Sequence, residues 1–353
     1  MAILKMFSFD NTTSLAELGF TNNLGAAVSS VKSRTGSQSM RLTTTPWQGS
    51  IDLPSATSSK FWIQFAVLFD DVAATQYFVC LTSVVVILVN DLTMALEVWT
   101  TDLYRNKVTK IASSPDGLVT LYAWNFLEVY SEPAHAAGVL WVKWNGVQVI
   151  NLTGDTTGIA TSVTGVNFAV AGGPSTYYDD VILGNGNGPD HIVPLGDARV
   201  EYVPPNAAGA SAQFTPTSGA NYTTVSEIGN PNDTTYNSSM DVGAMDLFGM
   251  QDLGGMGIVH AVQTVIRSRK DDAGSRTIRP VIRKTLDADG DTPRIYAGPT
   301  SPVIDSSAYT THLMPLSPFT GVAWSIDEVN EAQFGYMIGG SEVFTVSAEI
   351  AAF

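Results

Sequence analysis

The chain has 353 residues, of which 44% are hydrophobic and 14% are charged. This composition is typical of a globular protein and excludes an intrinsically disordered chain. The formal net charge of −15 disfavours a phosphate-binding surface, so we expect no nucleic-acid partner. At this length two domains are the expected organisation.

Residue usage favours strands over helices. Gly, Thr, Ser, Asn and Val are plentiful while Lys and Glu are scarce, and the periodicity of amphipathic helices is nearly absent. Short apolar alternations bounded by turn residues recur along the chain. The sequence therefore predicts an all-β protein with two tandem β-sandwich or jelly-roll domains.

The N-terminal half contains a series of short predicted strands. Residues 60–70 alternate clearly, with Phe61, Ile63 and Phe65 on one face. Several strands at this spacing favour a sandwich or jelly roll, in which the inner faces of two sheets form the core. The predicted strands cover residues 37–43, 60–70, 77–89, 94–99, 118–129 and 139–151.

The strongest turn signal in this half is Asn145-Gly146, which predicts a hairpin over 138–150. With Phe9-Asp10-Asn11, Gly36-Ser37-Gln38-Ser39-Met40-Arg41-Leu42 and Tyr177-Tyr178-Asp179-Asp180-Val181-Ile182, this pattern resembles a laminin-G-like (concanavalin-A-like) jelly roll. The resemblance implies that the strand carrying the paired acids returns to pair near an N-terminal strand at 6–9.

A segment rich in glycine and proline separates the halves. The sequence from Gly184 to Asp197 contains four glycines and two prolines, which cannot extend a strand far. We therefore predict a laminin-G-like domain over 1–195 and a C-terminal β-sandwich domain over 196–353.

The clearest feature of the C-terminal half is the stretch 257–284. Its apolar and basic residues alternate on both sides of a polar turn, so we interpret it as one long hairpin. Pro280 places the return strand at an edge or a bulge, because proline cannot donate to a ladder. Further strands are predicted at 199–203 and 332–346, and helical turns within 239–252 and 326–333.

Eight of the eighteen Lys and Arg residues lie between Arg267 and Arg294. Two interpretations stay open. The stretch is a solvated face balanced by nearby carboxylates such as Asp271, Asp272 and Asp287, or it is a cationic edge that docks on an acidic neighbour in an assembly.

Three stretches of this half carry a further resemblance. The stretches FTPTSGANYTTVSEIGNPNDTTYNSSMDVGAMDLFGMQDL, RSRKDDAGSRTIRPVI and SPFTGVAWSIDEVNEAQFGYMI are similar to the C-terminal half of a group of tailed-bacteriophage virion proteins, over about residues 196–350. The resemblance implies a structural component of the tail, baseplate or a fibre, present in several symmetric copies. Its partners would be other virion proteins and further copies of the chain.

The expected location is the virion, after synthesis in the host bacterial cytoplasm. Cys80 has no partner cysteine in the chain, and the first residues lack the apolar core of a secretory signal. The longest apolar run, 78–89, is too short for a membrane helix, so we expect no membrane insertion. Two other functions stay open: a lectin-like module that binds host-surface glycan, and capsid decoration.

We assign no catalytic residue and no cofactor, and we expect that the chain is not an enzyme. Glucanases of the laminin-G-like fold place carboxylates as Glu-x-Asp-x-x-Glu on one strand, and no strand of the N-terminal half has this pattern. No nucleophile motif, phosphate loop or zinc spacing occurs. The acidic and histidine residues that match none of these patterns are Glu97, Glu128, Glu132, 327–331, His135, His191, His260 and His312.

Two acidic stretches could hold calcium, but we assign no metal. Asp287-Ala-Asp-Gly-Asp291 resembles the start of a calcium loop, yet Gly298 stands where the closing Glu belongs, so a polar turn is favoured. Asp179-Asp180 matches a position where some laminin-G-like lectins carry acids near a metal or sugar. Alternatively, one of these acids is exposed on the strand and the other is hydrogen-bonded.

Exposed tryptophans could stack on sugar rings. Trp141 and Trp144 have opposite parity on one predicted strand, so one of them can face out. Trp47, in a loop, is the better candidate for exposure, either to a sugar or to a neighbouring subunit. For the tryptophans on predicted strands burial is the usual outcome; these are Trp62, Trp99, Trp124, Trp141 and Trp144.

Overall fold

The computed structural model is built almost entirely of β-strands, which confirms the all-β prediction. It describes residues 3–12, 14–21, 23, 25–43, 49–53, 59–72, 76–102, 106–170, 175–227, 232–255, 257–271, 274–284, 293–339 and 344–352. Contacts group the chain into an N-terminal unit, 1–9 with 13–200, and a C-terminal unit, 10–12 with 201–353. In the described ranges no helix has the length and apolarity that a membrane crossing needs.

The N-terminal unit is a jelly-roll sandwich of two antiparallel sheets. Its strands are β1 (Ile3–Phe7), β2 (Phe20–Thr21), β3 (Ala26–Ser29), β4 (Ser39–Leu42), β5 (Gly49–Asp52), β6 (Phe61–Phe69), β7 (Gln76–Leu81), β8 (Val85–Val89), β9 (Leu96–Thr101), β10 (Lys107–Ser113), β11 (Trp124–Glu132), β12 (Gly138–Trp144), β13 (Val147–Gly154), β14 (Gly165–Phe168) and β15 (Thr176–Asn185). Sheet A has the order β13-β12-β11-β6-β15-β4-β3, with β1 paired to β15, and sheet B has the order β10-β9-β8-β7-β14-β5-β2.

Aromatic rings from both sheets meet in the core of this unit. The ring of Phe168 on β14 lies 5.5 Å from Phe65 on β6 and 5.0 Å from Tyr178 on β15, between ring centroids. The buried Tyr178 hydroxyl donates to the carbonyl of Phe78 at 2.8 Å. This hydroxyl is therefore buried in the core with its hydrogen bond satisfied.

Two local predictions for this unit are confirmed. β12 and β13 form a hairpin closed by Asn145 and Gly146, whose φ angles of 51° and 80° suit a two-residue turn between twisted strands. β1 pairs with β15 between Phe7 and Val181, so the strand that carries the acidic pair does return to the N-terminal strand.

The C-terminal unit is a second sandwich of two sheets. Its strands are β16 (Pro205–Ala212), β17 (Thr215–Pro216), β18 (Asn237–Ser239), β19 (Met245–Met250), β20 (Val262–Arg269), β21 (Arg276–Lys284), β22 (Arg294–Ala297), β23 (Ser301–Val303), β24 (Ala308–Met314), β25 (Ala332–Gly339) and β26 (Phe344–Ala352). Sheet C has the order β16-β19-β25-β21-β22, with β23 also paired to β21, and sheet D has the order β17-β18-β26-β20-β24.

The predicted hairpin over 257–284 is wrong. β20 pairs with β24 and β26 in sheet D, whereas β21 pairs with β22, β23 and β25 in sheet C. Ile266 and Ile282 both lie in the core cluster of this unit. The turn therefore carries the chain from one layer of the sandwich to the other, and both arrangements produce the same alternation of side chains.

Pro280 lies inside sheet C and not at an edge, contrary to the prediction. On one side β21 pairs with β25, and Pro280 is opposite Tyr336. On the other side β23 pairs with 276–278 and β22 with 281–284. Pro280 falls in the gap between these two short strands, where a missing N–H costs no ladder bond.

Of the two helical turns expected in this half, one is present. The helix α1 spans Ile326–Glu331, and the Ser325 hydroxyl accepts from the N–H of Glu328 at 3.0 Å as its N-cap. The other expectation, within 239–252, is wrong, because that range contains no helix and Met245–Met250 form β19.

A buried carboxylate organises the loops of the C-terminal unit. Asp246 on β19 is fully buried, and its Oδ1 accepts from the backbone N–H groups of Gln213 at 2.7 Å and Phe214 at 3.0 Å. Its Oδ2 accepts from Asn221 Nδ2 at 2.7 Å. Burial raises the pKa of Asp246 despite these donors.

Candidate functional site

The segment 186–200, which we call the strap, covers part of the outer face of sheet A. Trp62 and Gln64 on β6 point away from the core, yet both are fully buried. Trp62 Nε1 donates to the carbonyl of His191 at 2.8 Å, and Gln64 Nε2 donates to the carbonyl of Gly196 at 3.0 Å. The strap is thus packed on the N-terminal unit through side chains of a central strand.

Both members of the acidic pair are buried, so the expectation that one is exposed is wrong. A β-bulge follows Asp179, and Asp180 has a left-handed backbone with φ 51°. Asp179 Oδ2 accepts from the backbone N–H groups of Arg34 at 2.7 Å and Thr35 at 3.1 Å. Burial, together with the neighbouring Asp180, raises the pKa of Asp179 to about 8.

Arg34 forms ion pairs with Asp180 and with Asp197 near the end of the strap. Its Nη1 lies 3.0 Å from Asp180 Oδ2, and its second terminal nitrogen pairs with Asp197. Asp180 Oδ1 accepts from the N–H of Val200 at 2.8 Å. Hydrogen-bond donors of the protein therefore bind the carboxylate oxygens of Asp179 and Asp180. We call this arrangement of Arg34, Asp179 and Asp180 the internal clasp.

Beyond the strap, outward side chains form an aromatic row across sheet A. Trp62, Tyr130 and Trp141 are directly opposite one another in the register of β6, β11 and β12, and Asn151 continues the row on β13. The rings of Tyr130 and Trp141 are stacked, with centroids 5.5 Å apart and planes 13° apart. Exposure increases from the buried Trp62 to the exposed Asn151, so the row is open at β12 and β13.

A charged pair flanks the row on one side. Glu128 and Lys143 are opposite each other on β11 and β12, with Lys143 Nζ 3.9 Å from Glu128 Oε1. The same ammonium lies 5.1 Å from the centroid of the Trp141 ring. Burial raises the pKa of Glu128 even though Lys143 opposes the shift, and Glu128 Oε1 makes no hydrogen bond in the described part of the chain.

A second charged pair flanks the row on the other side. Glu132 accepts a hydrogen bond from the Tyr130 hydroxyl, and Lys60 Nζ lies 3.1 Å from Glu132 Oε1. Burial would raise the pKa of Glu132, but the bonds from Tyr130 and Lys60 outweigh it and leave that pKa lowered. The Tyr130 pKa is raised by burial and by Glu132, so its hydroxyl remains a donor.

The arrangement on β11 was missed from the sequence. Glu128 and Glu132 match no catalytic pattern in the sequence, but the structure places them with Tyr130 at alternate positions on the outer face of one strand. Their spacing of two was visible, whereas the face they occupy was not. An aromatic platform between carboxylates, ammonium groups and the Asn151 amide can stack a sugar ring and bind its hydroxyls.

The other tryptophans divide between core and surface. Trp144 is in the core and Trp141 faces out, as their opposite parity allows. Trp99 on β9 is also partly exposed; its Nε1 donates to Glu97 at 2.9 Å, and Lys107 Nζ lies 5.0 Å from its ring centroid. Trp47 lies outside the described residues.

The basic stretch of the C-terminal unit is balanced by carboxylates other than those expected. Arg267 Nη1 lies 2.7 Å from Asp233, and Arg269 Nη1 lies 3.7 Å from the same carboxylate. Lys270 pairs with Asp305 at 3.0 Å. These contacts support balance by carboxylates, but Arg267 and Arg276 are buried, so the stretch is not the solvated face that was expected. Asp272 and Asp287, named earlier, lie outside the described residues.

In the described ranges no three His, Cys, Asp or Glu residues are grouped to hold a metal ion, and 287–291 lies outside those ranges. His135 Nδ1 lies 2.9 Å from the Thr157 hydroxyl, and His312 Nε2 lies 3.1 Å from the Tyr296 hydroxyl. Cys80 is buried on β7.

No protein-family model and no curated protein matches this chain. Solved structures similar to it include the endo-β-1,4-glucuronan lyase of the fungus Trichoderma reesei, at 14% identity over 51% of this chain and 94% of that one, with a TM-score of 0.37. The alginate lyase Aly36B is 12% identical over 50% and 95%, with a TM-score of 0.35. The tandem CBM22-1–CBM22-2 domain of Paenibacillus barcinonensis Xyn10C is 12% identical over 99% and 96%, with a TM-score of 0.27.

These structures are β-sandwich and jelly-roll folds, as are the two units of this chain. They also correct one expectation. The prediction that the chain is not an enzyme is wrong on this comparison, because polysaccharide lyases are among the structures it is similar to. A similarity of this size gives no argument for any particular reaction, and none of the three structures is a virion protein.

Proposed function

We propose that the chain is a component of a tailed-phage virion whose N-terminal unit binds host-surface glycan at the aromatic row. The glycan part of the proposal is supported by one observation above all. Trp141, stacked on Tyr130, forms a partly exposed platform on the outer strands of sheet A. Stacking on aromatic faces combined with hydrogen bonds from flanking polar groups is how proteins bind the apolar faces and hydroxyls of sugars.

The virion part of the proposal is supported by the sequence resemblance over about residues 196–350. Two rigid β-sandwich units suit a structural protein that acts through its surfaces. The proposed location is the mature particle, and the proposed partners are neighbouring virion proteins. Mass spectrometry of purified particles tests this part. Recovery of the chain from whole virions but not from tail-less heads supports a tail position, recovery from both supports capsid decoration, and absence from both refutes the proposal.

Matched variants test the glycan part. Saturation-transfer NMR of the intact chain with host surface polysaccharide is expected to give transfer that Trp141→Ala abolishes. Trp99→Ala is the control, since Trp99 is also partly exposed beside a lysine but lies on sheet B. Equal loss in both variants, or no transfer from a broad glycan panel to the wild type, would refute binding at the aromatic row.

A further inference from the structure

The ion pair of Glu128 and Lys143 beside the aromatic row presents its two charges to solvent unequally. The Lys143 side chain is 35% exposed, whereas that of Glu128 is 2% exposed. Glu128 Oε1 is buried and makes no hydrogen bond within the described ranges. A ligand that lies against the Trp141 ring therefore meets the ammonium group of this pair and not the carboxylate.

The Lys143 ammonium is next to the surface on which a sugar would stack. Its Nζ lies 5.1 Å from the centroid of the Trp141 ring, and both residues are on β12. The 3.9 Å between Lys143 Nζ and Glu128 Oε1 is short enough for an ion pair but too long for a hydrogen bond. Since an ammonium group has three N–H donors, Lys143 can donate to a ligand without giving up this pair.

The ion pair on the other flank has the same order of charges. The Lys60 side chain is 42% exposed and that of Glu132 is 31% exposed. Glu132 Oε1 lies 3.1 Å from Lys60 Nζ, and the Glu132 carboxylate also accepts from the Tyr130 hydroxyl. Donors of the protein thus already bind this carboxylate, and the cation is again the more exposed member of the pair.

Other charges near the row do not reverse this order. Burial raises the pKa of Glu128 even though Lys143 opposes the shift, so its negative charge is held less firmly than that of a solvated glutamate. Asp197, whose charge also acts on Glu128, is itself paired with Arg34. The net charge of −15 is spread over the chain, and charges beyond roughly 8 Å are largely screened at physiological ionic strength.

We propose that the aromatic row selects acidic sugars, with Lys143 as the residue that binds the anionic group and Lys60 as a second cation. This inference rests on the glycan binding proposed above and adds the class of sugar. A sugar stacked on Trp141 has its substituents beside the Lys143 ammonium, which binds a carboxylate or a sulfate ester as a point charge. A neutral sugar would gain only uncharged acceptors there, and an amino sugar would meet a like charge.

Saturation-transfer NMR titrations of the intact chain with matched oligosaccharide pairs test this inference. Each pair consists of an acidic oligosaccharide and its neutral counterpart: oligogalacturonate with its carboxyl-reduced form, and a sulfated galactan with its desulfated form. The acidic member of at least one pair is expected to bind about tenfold more tightly than the neutral member, and about 0.5 M NaCl is expected to remove most of this difference. The two pairs distinguish a carboxylate from a sulfate ester.

Variants separate the role of Lys143 from stacking. Lys143→Met combined with Glu128→Gln removes both charges of the pair, leaves no buried carboxylate without its cation, and is expected to lower the affinity for the acidic sugar to that for the neutral one. Lys143→Arg is expected to keep the preference. The matched control is Lys107→Met, since Lys107 Nζ lies 5.0 Å from the centroid of the Trp99 ring on sheet B. Transfer from the neutral sugar, retained in the double variant, shows that this variant is folded.

Three results would overturn the inference, and they are distinguishable from one another. Equal affinity for both members of every pair refutes the selection of acidic sugars while glycan binding stands. No transfer from any member refutes both proposals. A preference for acidic sugars that persists in the double variant, or that Lys107→Met removes equally, contradicts the role of Lys143.

Discussion

Replacement of Arg34 by methionine is expected to destabilise the N-terminal unit by about 3–5 kcal/mol. The Arg34 side chain is 9% exposed and that of Asp180 is 0% exposed, so the substitution leaves a buried carboxylate without its cation. Asp180 keeps only the Thr35 hydroxyl at 3.0 Å and the N–H of Val200 at 2.8 Å. The Arg34–Asp197 pair adds little, because the Asp197 side chain is 60% exposed.

Urea denaturation followed by tryptophan fluorescence measures this effect. The signal reports mainly on the N-terminal unit, which contains every tryptophan except Trp324. Adding Asp180→Asn to Arg34→Met removes the uncompensated charge and is expected to restore about half of the lost stability. Lys110→Met is the control, since Lys110 is 46% exposed and its pair with Glu97 contributes about 0–1 kcal/mol. A loss below about 1 kcal/mol in Arg34→Met, or no recovery in the double variant, would contradict the internal clasp.

Three further predictions concern the stability of each unit. The pKa of Asp179 is about 8 in the folded chain, above its value of about 3.9 when unfolded, so between these pH values the folded state binds one more proton than the unfolded state and stability should fall as the pH rises from 5 to 8. Thermal unfolding measured over that range should depend much less on pH in Asp179→Asn. A stability that rises with pH in the wild type and not in Asp179→Asn would contradict the prediction. Asp246→Ala leaves two backbone N–H groups and the Asn221 amide without their acceptor, so the free energy of unfolding in urea should fall by about 3–5 kcal/mol. A loss under about 1 kcal/mol would contradict this and would mean that water replaces the carboxylate as acceptor. Gly184→Ala places a methyl group into the indole of the buried Trp62 and should cost about 1–3 kcal/mol by thermal unfolding. Gly254→Ala is the control, because Gly254, like Gly184, has no positive φ, but a Cβ there meets no neighbouring atom; an equal loss in both variants would contradict the crowding argument.

The class of fold followed from the sequence because strand alternation and turn chemistry are local signals. Asn145-Gly146 determines its hairpin through the two left-handed residues that the turn requires. Pairing between distant strands is not local, and the stretch 257–284 shows the consequence. Alternation identified β20 and β21 correctly as strands, but the same pattern fits a hairpin and a crossing between layers, and only the core contacts of Ile266 and Ile282 decide between them.

The candidate site was harder to predict, for a related reason. Residues on the outer face of a sheet are expected to be solvated, so Trp62 and Gln64 gave no sign that a later segment covers them. The acidic pair was misjudged because a strand with strict alternation exposes one of two neighbours, and a bulge with a left-handed Asp180 breaks that rule. Neither feature has a short sequence signature.

The strap has a practical consequence for work on the separate halves. By composition, Gly184 to Asp197 is a place to cut the chain, yet Trp62, Gln64 and Asp180 all bond to residues between His191 and Val200. A fragment ending at Asn185 would expose the indole of Trp62 and the amide of Gln64. It would also lack the Val200 N–H, which donates a hydrogen bond to Asp180. The N-terminal half should therefore be expressed through Val200 if it is to keep its native surface.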